Sequence, residues 1–376
     1  MEIAIKELGA IITGNTPSKK VKEYWNSKDI CFVKPDIIAD EGVDDITESN
    51  EYISEFARKK ARIVKENAIF VTCIGSIGKI GIAGSDEYAF NQQINVIIPN
   101  EKVRSKYLAY NLYFNKSKLV AIANAPVVPI INKSQFGDFI INIDTDINKQ
   151  DKAIEVLDKL TKIIQQRKNE IMYLDNLIKA RFVEMFGDMY LNSKGWSEAK
   201  LESMADVVSG ITKGRKTKSE DLIEVPYMAV SNVKDGYIDW TTVKTIEATQ
   251  QEIEQYRLLA DDVLMTEGGD PDKVGRGAII KEPLENCIHQ NHIFRVRLDE
   301  SMMLPEFFAE YLQHQRSKRY FLGCAKQTTG IASINMTQLR ALPVLMPPLS
   351  KQEEFVLFKA QVDKSKFIKQ NNQVFS

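Results

Sequence analysis

Apolar residues recur at steps of three and four along one long stretch of this chain. Between Asn148 and Phe186 there is no glycine or proline, and Ile154, Leu157, Leu160, Ile164, Ile171, Leu174 and Leu177 keep that spacing, with a polar break at Arg167. The pattern predicts a long helix with a narrow apolar seam, close to that of a coiled coil. Gly187 supplies a stop. Roughly 38 residues at about 1.5 Å each reach about 57 Å. A seam this thin calls for a partner helix, and the chain's own C-terminal stretch is the nearest candidate. There Pro347-Pro348 breaks a strand, and Ser350-Lys351-Gln352-Glu353 has the spacing of a capping box. A second, shorter helix is expected from Lys351 toward Phe375.

Elsewhere the pattern is mixed. Ala68–Ile74, Asp262–Thr266, Ile94–Ile98 and Ile293–Arg297 read as buried strands, with Gly75, Gly78, Gly81, Gly268, Gly269 and Gly275 marking the turns between them. Lys106–Ala121 and Pro305–Phe321 read as amphipathic helices. Strands pair without regular alternation with helices, which argues against a parallel doubly wound sheet. The expected class is α/β in the α+β sense: mixed, mainly antiparallel sheet with helices.

The same pattern runs through the chain twice, about 200 positions apart. Leu8–Gly14 returns as Met204–Gly210, and Cys31-Phe32-Val33 returns as Tyr227-Met228-Ala229. Gly78-Lys79-Ile80-Gly81 returns as Asp272-Lys273-Val274-Gly275, and Phe90–Ile94 as His289–Ile293. Ile131-Asn132-Lys133-Ser134-Gln135-Phe136 returns as Ile334-Asn335-Met336-Thr337-Gln338-Leu339. Each match is weak, but their order is conserved along the chain. So long a period implies two copies of one domain, each followed by a helix.

Composition narrows the function. The chain has 376 residues, 44% hydrophobic and 27% charged, as expected of a soluble two-domain protein rather than a disordered or collagenous one. No apolar run is long enough for a membrane span, and the first residues do not read as a secretory signal, so a cytoplasmic location is expected. Cys31, Cys73, Cys287 and Cys324 are scattered and form no CxxC pair, as suits reduced thiols. Lys and Arg total 50 against 51 Asp and Glu, so any anionic partner must be met by local clusters.

Catalytic signatures do not emerge. Gly75–Ile80 and Gly210–Thr217 only approach a phosphate loop, and structural turns are the better reading. Cys287, His289 and His292 lack a clear fourth metal ligand, and a structural or base-contacting role is preferred. Basic and polar loops are present instead. Lys19, Lys20 and Lys22 occupy one, with Lys213, Arg215, Lys216 and Lys218 in its repeat counterpart. Arg58, Lys59 and Lys60 form another, and Lys326, Gln327 and Thr328 join a cation to base-reading types. Lys and Arg neutralise phosphates, while Gln, Thr and Arg read base edges. The competing reading of any one cluster is a solvated face.

Three phrases carry a family resemblance: Val225–Gly236, Val263–Gly277, and Thr328-Thr329-Gly330-Ile331 continuing through Pro347-Pro348-Leu349-Ser350-Lys351-Gln352-Glu353. With the duplication, they make the whole chain resemble the specificity subunits of type I restriction–modification systems. The resemblance implies a non-catalytic subunit without a cofactor of its own. Target-recognition domains at 1–147 and 188–348 would each read half of a split, asymmetric sequence in double-stranded DNA. Spacer helices at 148–187 and 349–376 would separate them. Two copies of a methyltransferase subunit that binds S-adenosylmethionine would dock, and an ATP-driven restriction and translocation subunit would join the full complex. Two alternatives stay open: a self-contained DNA-modifying enzyme with an unrecognised site, and a helical adaptor that binds no DNA.

Overall fold

The computed structural model describes residues 1–123, 128–215, 221–270, 274–328 and 331–371. It divides into two compact units, Met1–Arg167 and Lys168–Ser376.

In the first unit, β1 (Glu2–Ala4), β2 (Gly9–Thr13), β3 (Ile30–Val33), β4 (Val43–Ile46), β5 (Glu51–Ile53), β6 (Ile63–Val64), β7 (Ile69–Thr72), β8 (Ile80–Ala83), β9 (Tyr88–Phe90) and β10 (Ile94–Pro99) come first. Three short helices, α1 (Ser105–Phe114), α2 (Lys116–Ala121) and α3 (Lys133–Gly137), lead to β11 (Ile140–Asn142) and then to α4 (Ile147–Phe186). One sheet has the order β2-β10-β7-β8-β4, a second the order β5-β3-β9-β6, and β1 pairs with β11. All pairs are antiparallel except β3 with β9 and β4 with β8.

In the second unit the strands are β12 (Ser197–Lys200), β13 (Ala205–Ser209), β14 (Ile223–Met228) and β15 (Lys244–Ala248), then after α5 (Gln250–Tyr256), β16 (Val263–Thr266), β17 (Gly268–Gly269), β18 (Gly277–Ile279), β19 (Ile288–His289) and β20 (Ile293–Leu298). Next come α6 (Pro305–Leu312), α7 (Gln315–Cys324), β21 (Lys326–Thr328), β22 (Ile331–Ser333), α8 (Met336–Arg340), β23 (Pro343–Met346) and α9 (Leu349–Asn371). The order β13-β20-β16-β18 repeats β2-β10-β7-β8, and β15-β14-β19 repeats β5-β3-β9. The pair β12–β23 repeats β1–β11. The sheet β17-β22-β21 completes the second unit.

Burial on both faces explains the apolar runs of the central strands. Ile69 and Val71 of β7 join the core around Leu108, Leu112 and Phe136, while Phe70 between them joins the core around Tyr88, Phe90 and Val96. Val263 and Met265 of β16 likewise face the core of Phe307 and Phe321, and Leu264 faces Met228 and Cys287. Period-two alternation with no polar face reads as a continuous hydrophobic run.

The paired hydrogen bonds correct two of the repeat matches. Asn91 N–H donates to Val33 O at 3.1 Å, and Gln290 N–H donates to Met228 O at 3.0 Å, so Val33 corresponds to Met228 rather than Ala229. Thr72 N–H donates to Lys79 O and Thr266 N–H to Arg276 O, so Lys79 corresponds to Arg276 rather than Lys273. The left-handed glycines Gly78 and Gly275 then coincide, at φ 79° and 73°. The last match stands: Asn132 with Gln135 and Asn335 with Gln338 form reciprocal capping boxes at the starts of α3 and α8.

Each expected amphipathic helix is in fact two. In the first unit the break falls at Asn115, whose side-chain amide donates to Asn111 O at 2.9 Å. In the second, His314 turns to an extended conformation, and its ring stacks on Phe182 at 4.5 Å.

α4 is one helix of 40 residues. Leu157 packs on the first unit's core, whereas Ile178, Phe182, Met185 and Phe186 lie in the second unit's core. Leu177, expected in the seam, is 47% exposed, and the buried position is Ile178 at 4%. Gly187, at φ 76°, ends the helix. α9 runs beside the end of α4, with Lys366 on Asp175 at 2.6 Å and Arg181 on Glu354 at 2.7 Å.

The capping role expected of Ser350 is also corrected. α9 starts at Leu349, and Lys351 and Gln352 N–H donate to Pro348 O, so Ser350 lies inside the first turn. The residue that fastens this helix is Gln352. Its buried side chain accepts from Leu304 N–H at 2.9 Å and donates to Pro347 O at 2.9 Å and Met302 O at 3.3 Å. Gln150 does the same for α4, accepting from Arg104 N–H at 2.8 Å and donating to Asp144 O and Lys102 O. Both glutamines are 0% exposed. Gln352→Leu strands buried backbone groups and is expected to destabilise the second unit by about 2–4 kcal/mol. Urea unfolding read by tryptophan fluorescence checks this, and an unchanged midpoint would show that the amide is dispensable.

Candidate nucleic-acid interface

Charge alone nominated the basic loops, and the structure sorts their members by what each cation already holds. Lys19 pairs with Glu51 at 3.0 Å and lies 5.1 Å from the Trp25 ring. Arg58 is gripped by Glu55 and by Glu87, the latter at 2.6 Å. Arg215 makes a two-pronged contact with Glu252, at 2.6 and 2.5 Å. That hydrogen bond, followed by the charge, raises the Arg215 pKa, and the same bond lowers that of Glu252. Glu252 also closes the capping box of α5 with Thr249. Arg215 is therefore a brace between its loop and α5, and much of its charge is spent inside the protein.

The other described cations of these loops are free of such grips. Lys20, Lys22, Lys59, Lys60, Lys213 and Lys326 are exposed, and among the described residues none has a carboxylate within ion-pair reach. Lys216 and Lys218 lie outside the described residues, as do the side chains of Gln327 and Thr328, whose backbone pairs in β21 with β22.

In the first unit, one group of these cations is anchored to the end of β2. Asn15 donates its amide to Lys60 O at 2.7 Å and accepts from Arg62 N–H at 2.9 Å. The Arg62 guanidinium bonds Thr13 O. The segment Arg58–Arg62 is thus held against the strand end, with Lys59, Lys60 and Arg62 facing water. Lys19, Lys20 and Lys22 belong to a separate loop beside β5. The anchoring of Lys59, Lys60 and Arg62 at the end of β2 was not legible, because Asn15 carries no charge and lies far from Lys60 in sequence.

The histidines divide by burial. His289 is fully buried and burial lowers its pKa to about 4, so it stays neutral, with Nδ1 3.1 Å from Ile293 O. Burial pushes the Cys287 thiol up to about 12 and the Cys73 thiol likewise to about 12. Both are core groups rather than nucleophiles. His292 is exposed and holds Glu267 through Nδ1 at 2.5 Å. No cluster of three His, Cys, Asp or Glu side chains poised for a metal occurs among the described residues. The Gly75–Ile80 segment is a hairpin turn, where Lys79 binds Asp40 at 2.8 Å and the carbonyls of Pro35 and Ile38. No helix among the described residues is long and apolar enough to cross a membrane.

Exposed cations that hold nothing, beside polar turns, suit contact with phosphates and base edges. Known proteins resemble this chain in sequence and in fold. A family model described as the type I restriction modification DNA specificity domain matches residues 1–173 and 193–374. The chain is 20% identical over 324 residues to the type I restriction enzyme EcoKI specificity subunit of Escherichia coli, covering 80% of this chain and 68% of that protein. It is 27% identical over 170 residues to the putative MjaX specificity subunit of Methanocaldococcus jannaschii, covering 45% of this chain and 39% of that one. It is 27% identical over 252 residues to the MjaIX specificity subunit of the same organism, covering 62% and 57%. The match therefore spans well under two thirds of the length of these last two relatives. In fold, the chain resembles the S subunit of a type I restriction–modification system from M. genitalium, with TM-score 0.56, 14% identity and coverage of 99% and 91%. A structure described as showing complex assembly and conformational transition of the type I R-M system gives 0.54 at 14% identity, covering 100% and 92%.

Proposed function

We propose, from the premise that this chain belongs to the type I restriction modification DNA specificity family, that it is the non-catalytic subunit choosing the DNA sequence on which a type I complex acts. Each unit reads one half of a bipartite, asymmetric site in double-stranded DNA. Two methyltransferase subunits supply the adenine methylation, and a restriction and translocation subunit joins them, all in the cytoplasm. Unpaired cations such as Lys59, Lys60 and Lys213 meet phosphates, and neighbouring polar side chains meet base edges.

One observation carries this reading. The two units repeat strand order, capping boxes and turn hydrogen bonds, yet present different polar side chains at their surfaces. Two equal scaffolds with unequal surfaces suit a site whose halves differ. A self-contained enzyme would need a reactive cluster, and the buried, raised thiols and the neutral His289 offer none among the described residues.

The test is to exchange residues 203–343 for the counterpart from a related specificity protein, co-express the chimera with the methyltransferase subunits, and sequence the methylome. One half of the methylated motif should change and the other persist. Change in both halves would break the modular reading.

A further inference from the structure

At one place the two units share their backbone while their side chains differ in kind. Cys73 N–H donates to Gln93 O at 2.8 Å, and Glu267 N–H donates to His292 O at 2.9 Å. Ile131 N–H donates to Cys73 O, and Ile334 N–H to Glu267 O, both at 2.8 Å. The turns so held are Asn91–Gln93, between β9 and β10, and Gln290–His292, between β19 and β20. A glycine presses against each from the neighbouring strand end. A Cβ on Gly14 would stand 2.0 Å from Asn91 O, and one on Gly210 would stand 1.9 Å from His289 O. No side chain fits there, so the turn backbone is fixed in both units.

Within each turn the roles divide. The first residue bonds within the protein: buried Asn91 accepts from Gln93 N–H at 3.1 Å, and half-buried Gln290 accepts from Val230 N–H at 3.2 Å. Of the next two, Gln92 and His292 are exposed while Gln93 and Asn291 are half-buried. Gln92 is exposed, and Thr16 Oγ1 donates to its Oε1 at 2.8 Å, which orients the amide. In the second unit the surface pair is Asn291 and His292. Glu267 holds His292 Nδ1, and Asn291 Nδ2 lies 3.4 Å from His292 Nε2. Carboxylate, imidazole and amide thus form one oriented row.

We propose that this turn is the base-reading element of each unit, with Gln92 acting in one half-site and Asn291 with His292 in the other. The proposal rests on the DNA-recognition reading above and names the residues that carry it. A side-chain amide offers a donor and an acceptor side by side, the pair that matches N7 and the N6 amino group of adenine in the major groove. A backbone fixed by glycine contact and repeated hydrogen bonds places that amide without an ordering cost at binding. Exchange of Gln93 and Cys73 for His292 and Glu267 on the same backbone changes what is read without moving the reader. Phosphate-binding charge stands next to each turn. Asn15 ties Lys60 to the strand end whose N–H groups bond the first turn, and Asn15 N–H itself donates to Phe90 O at 2.9 Å. In the second unit, Ile211 N–H donates to His289 O at 2.9 Å, and exposed Lys213 follows two residues later.

The experiment uses the full chain co-expressed with its methyltransferase subunits in cells that lack other adenine methylation. Gln92→Ala and His292→Gln are compared with the unaltered chain by methylome sequencing. The purified complexes are then tested on duplexes substituted one base pair at a time. Gln92→Ala should relax one position of one half-site, with discrimination there falling roughly 5- to 150-fold, the equivalent of one good side-chain–base pair. His292→Gln should alter the opposite half. The half left intact in each variant certifies that the protein has folded and assembled. If both variants keep the full motif and its discrimination, the turns are not the readers, while the recognition function stands. Uniform weakening on every sequence would also overturn the assignment, since it marks a phosphate or folding role. An unaltered chain that yields no bipartite motif would sink the recognition function, and this assignment with it.

Discussion

Phe182→Ala is expected to destabilise the second unit by about 3–5 kcal/mol. The side chain is 0% exposed, although exposed apolar residues such as Tyr173 and Leu177 precede it on the same helix. Its ring lies 4.9 Å from Phe186, 5.5 Å from Phe307, 5.2 Å from Phe355 and 4.5 Å from the His314 ring. One residue of α4 thereby touches the helix that follows β20, the break between α6 and α7, and α9. Truncation leaves a cavity at that junction which rings held by separate helices cannot easily fill. Urea unfolding followed by tryptophan fluorescence should show one transition move to lower denaturant while the first unit's transition stays. Phe182→Leu, which keeps most of the volume, should lose less than half as much. A loss below about 1 kcal/mol for the alanine variant would mean that the junction collapses freely and does not anchor the helix.

Particular residues show where the sequence was sufficient and where it was not. The duplication was legible because Asn132–Gln135 and Asn335–Gln338 repeat a local device that depends only on near neighbours. Matches within strands slipped because apolar residues resemble one another. Val33 and Met228 share a place that only the pairing partners Phe90 and His289 reveal. The seam of α4 was read at steps that end on Leu177. Leu177 is a second step of three in a row after Leu174, whereas the seven-residue repeat of Leu157, Ile164 and Ile171 leads to Ile178, and the buried line follows Ile178 to Phe182. The basic loops were visible as charge, but Glu252 reaches Arg215 from 37 positions away, and Glu87 reaches Arg58 from 29. Composition cannot separate a spent cation from a free one. Gln150 and Gln352 were passed over for a similar reason. A glutamine in a charged helical turn looks solvated, and only the fold places it among Arg104, Leu304 and their neighbouring carbonyls.

Inserting about seven residues that continue the apolar seam near Gln165 of α4 is expected to widen the gap between the two half-sites and leave the half-sites unchanged. The insertion falls between two sets of anchors. Upstream, Asp151 holds Arg104 at 2.9 Å, and Asp158 holds Lys106 at 2.9 Å and Tyr110 at 2.7 Å. Downstream, Asp175 holds Lys366, Arg181 holds Glu354, and Ile178 and Phe182 enter the core. Neither set is interrupted, and the turns and basic loops are untouched. Seven residues add about 10.5 Å of helix, and the drift of about 20° per heptad keeps the apolar face nearly in phase. One base-pair step is about 3.4 Å, so the unread gap grows by at most about three base pairs. Bending of the DNA would reduce that figure, so the sign of the change is the firm expectation. Insertion of four residues instead turns the helix by about 40° from whole turns and adds only about 6 Å, and it should cost more activity for less gain in gap. Methylome sequencing of both variants decides the matter. An unchanged gap with full activity would show that α4 does not set the spacing, and an altered half-site would show that the helix itself touches the bases.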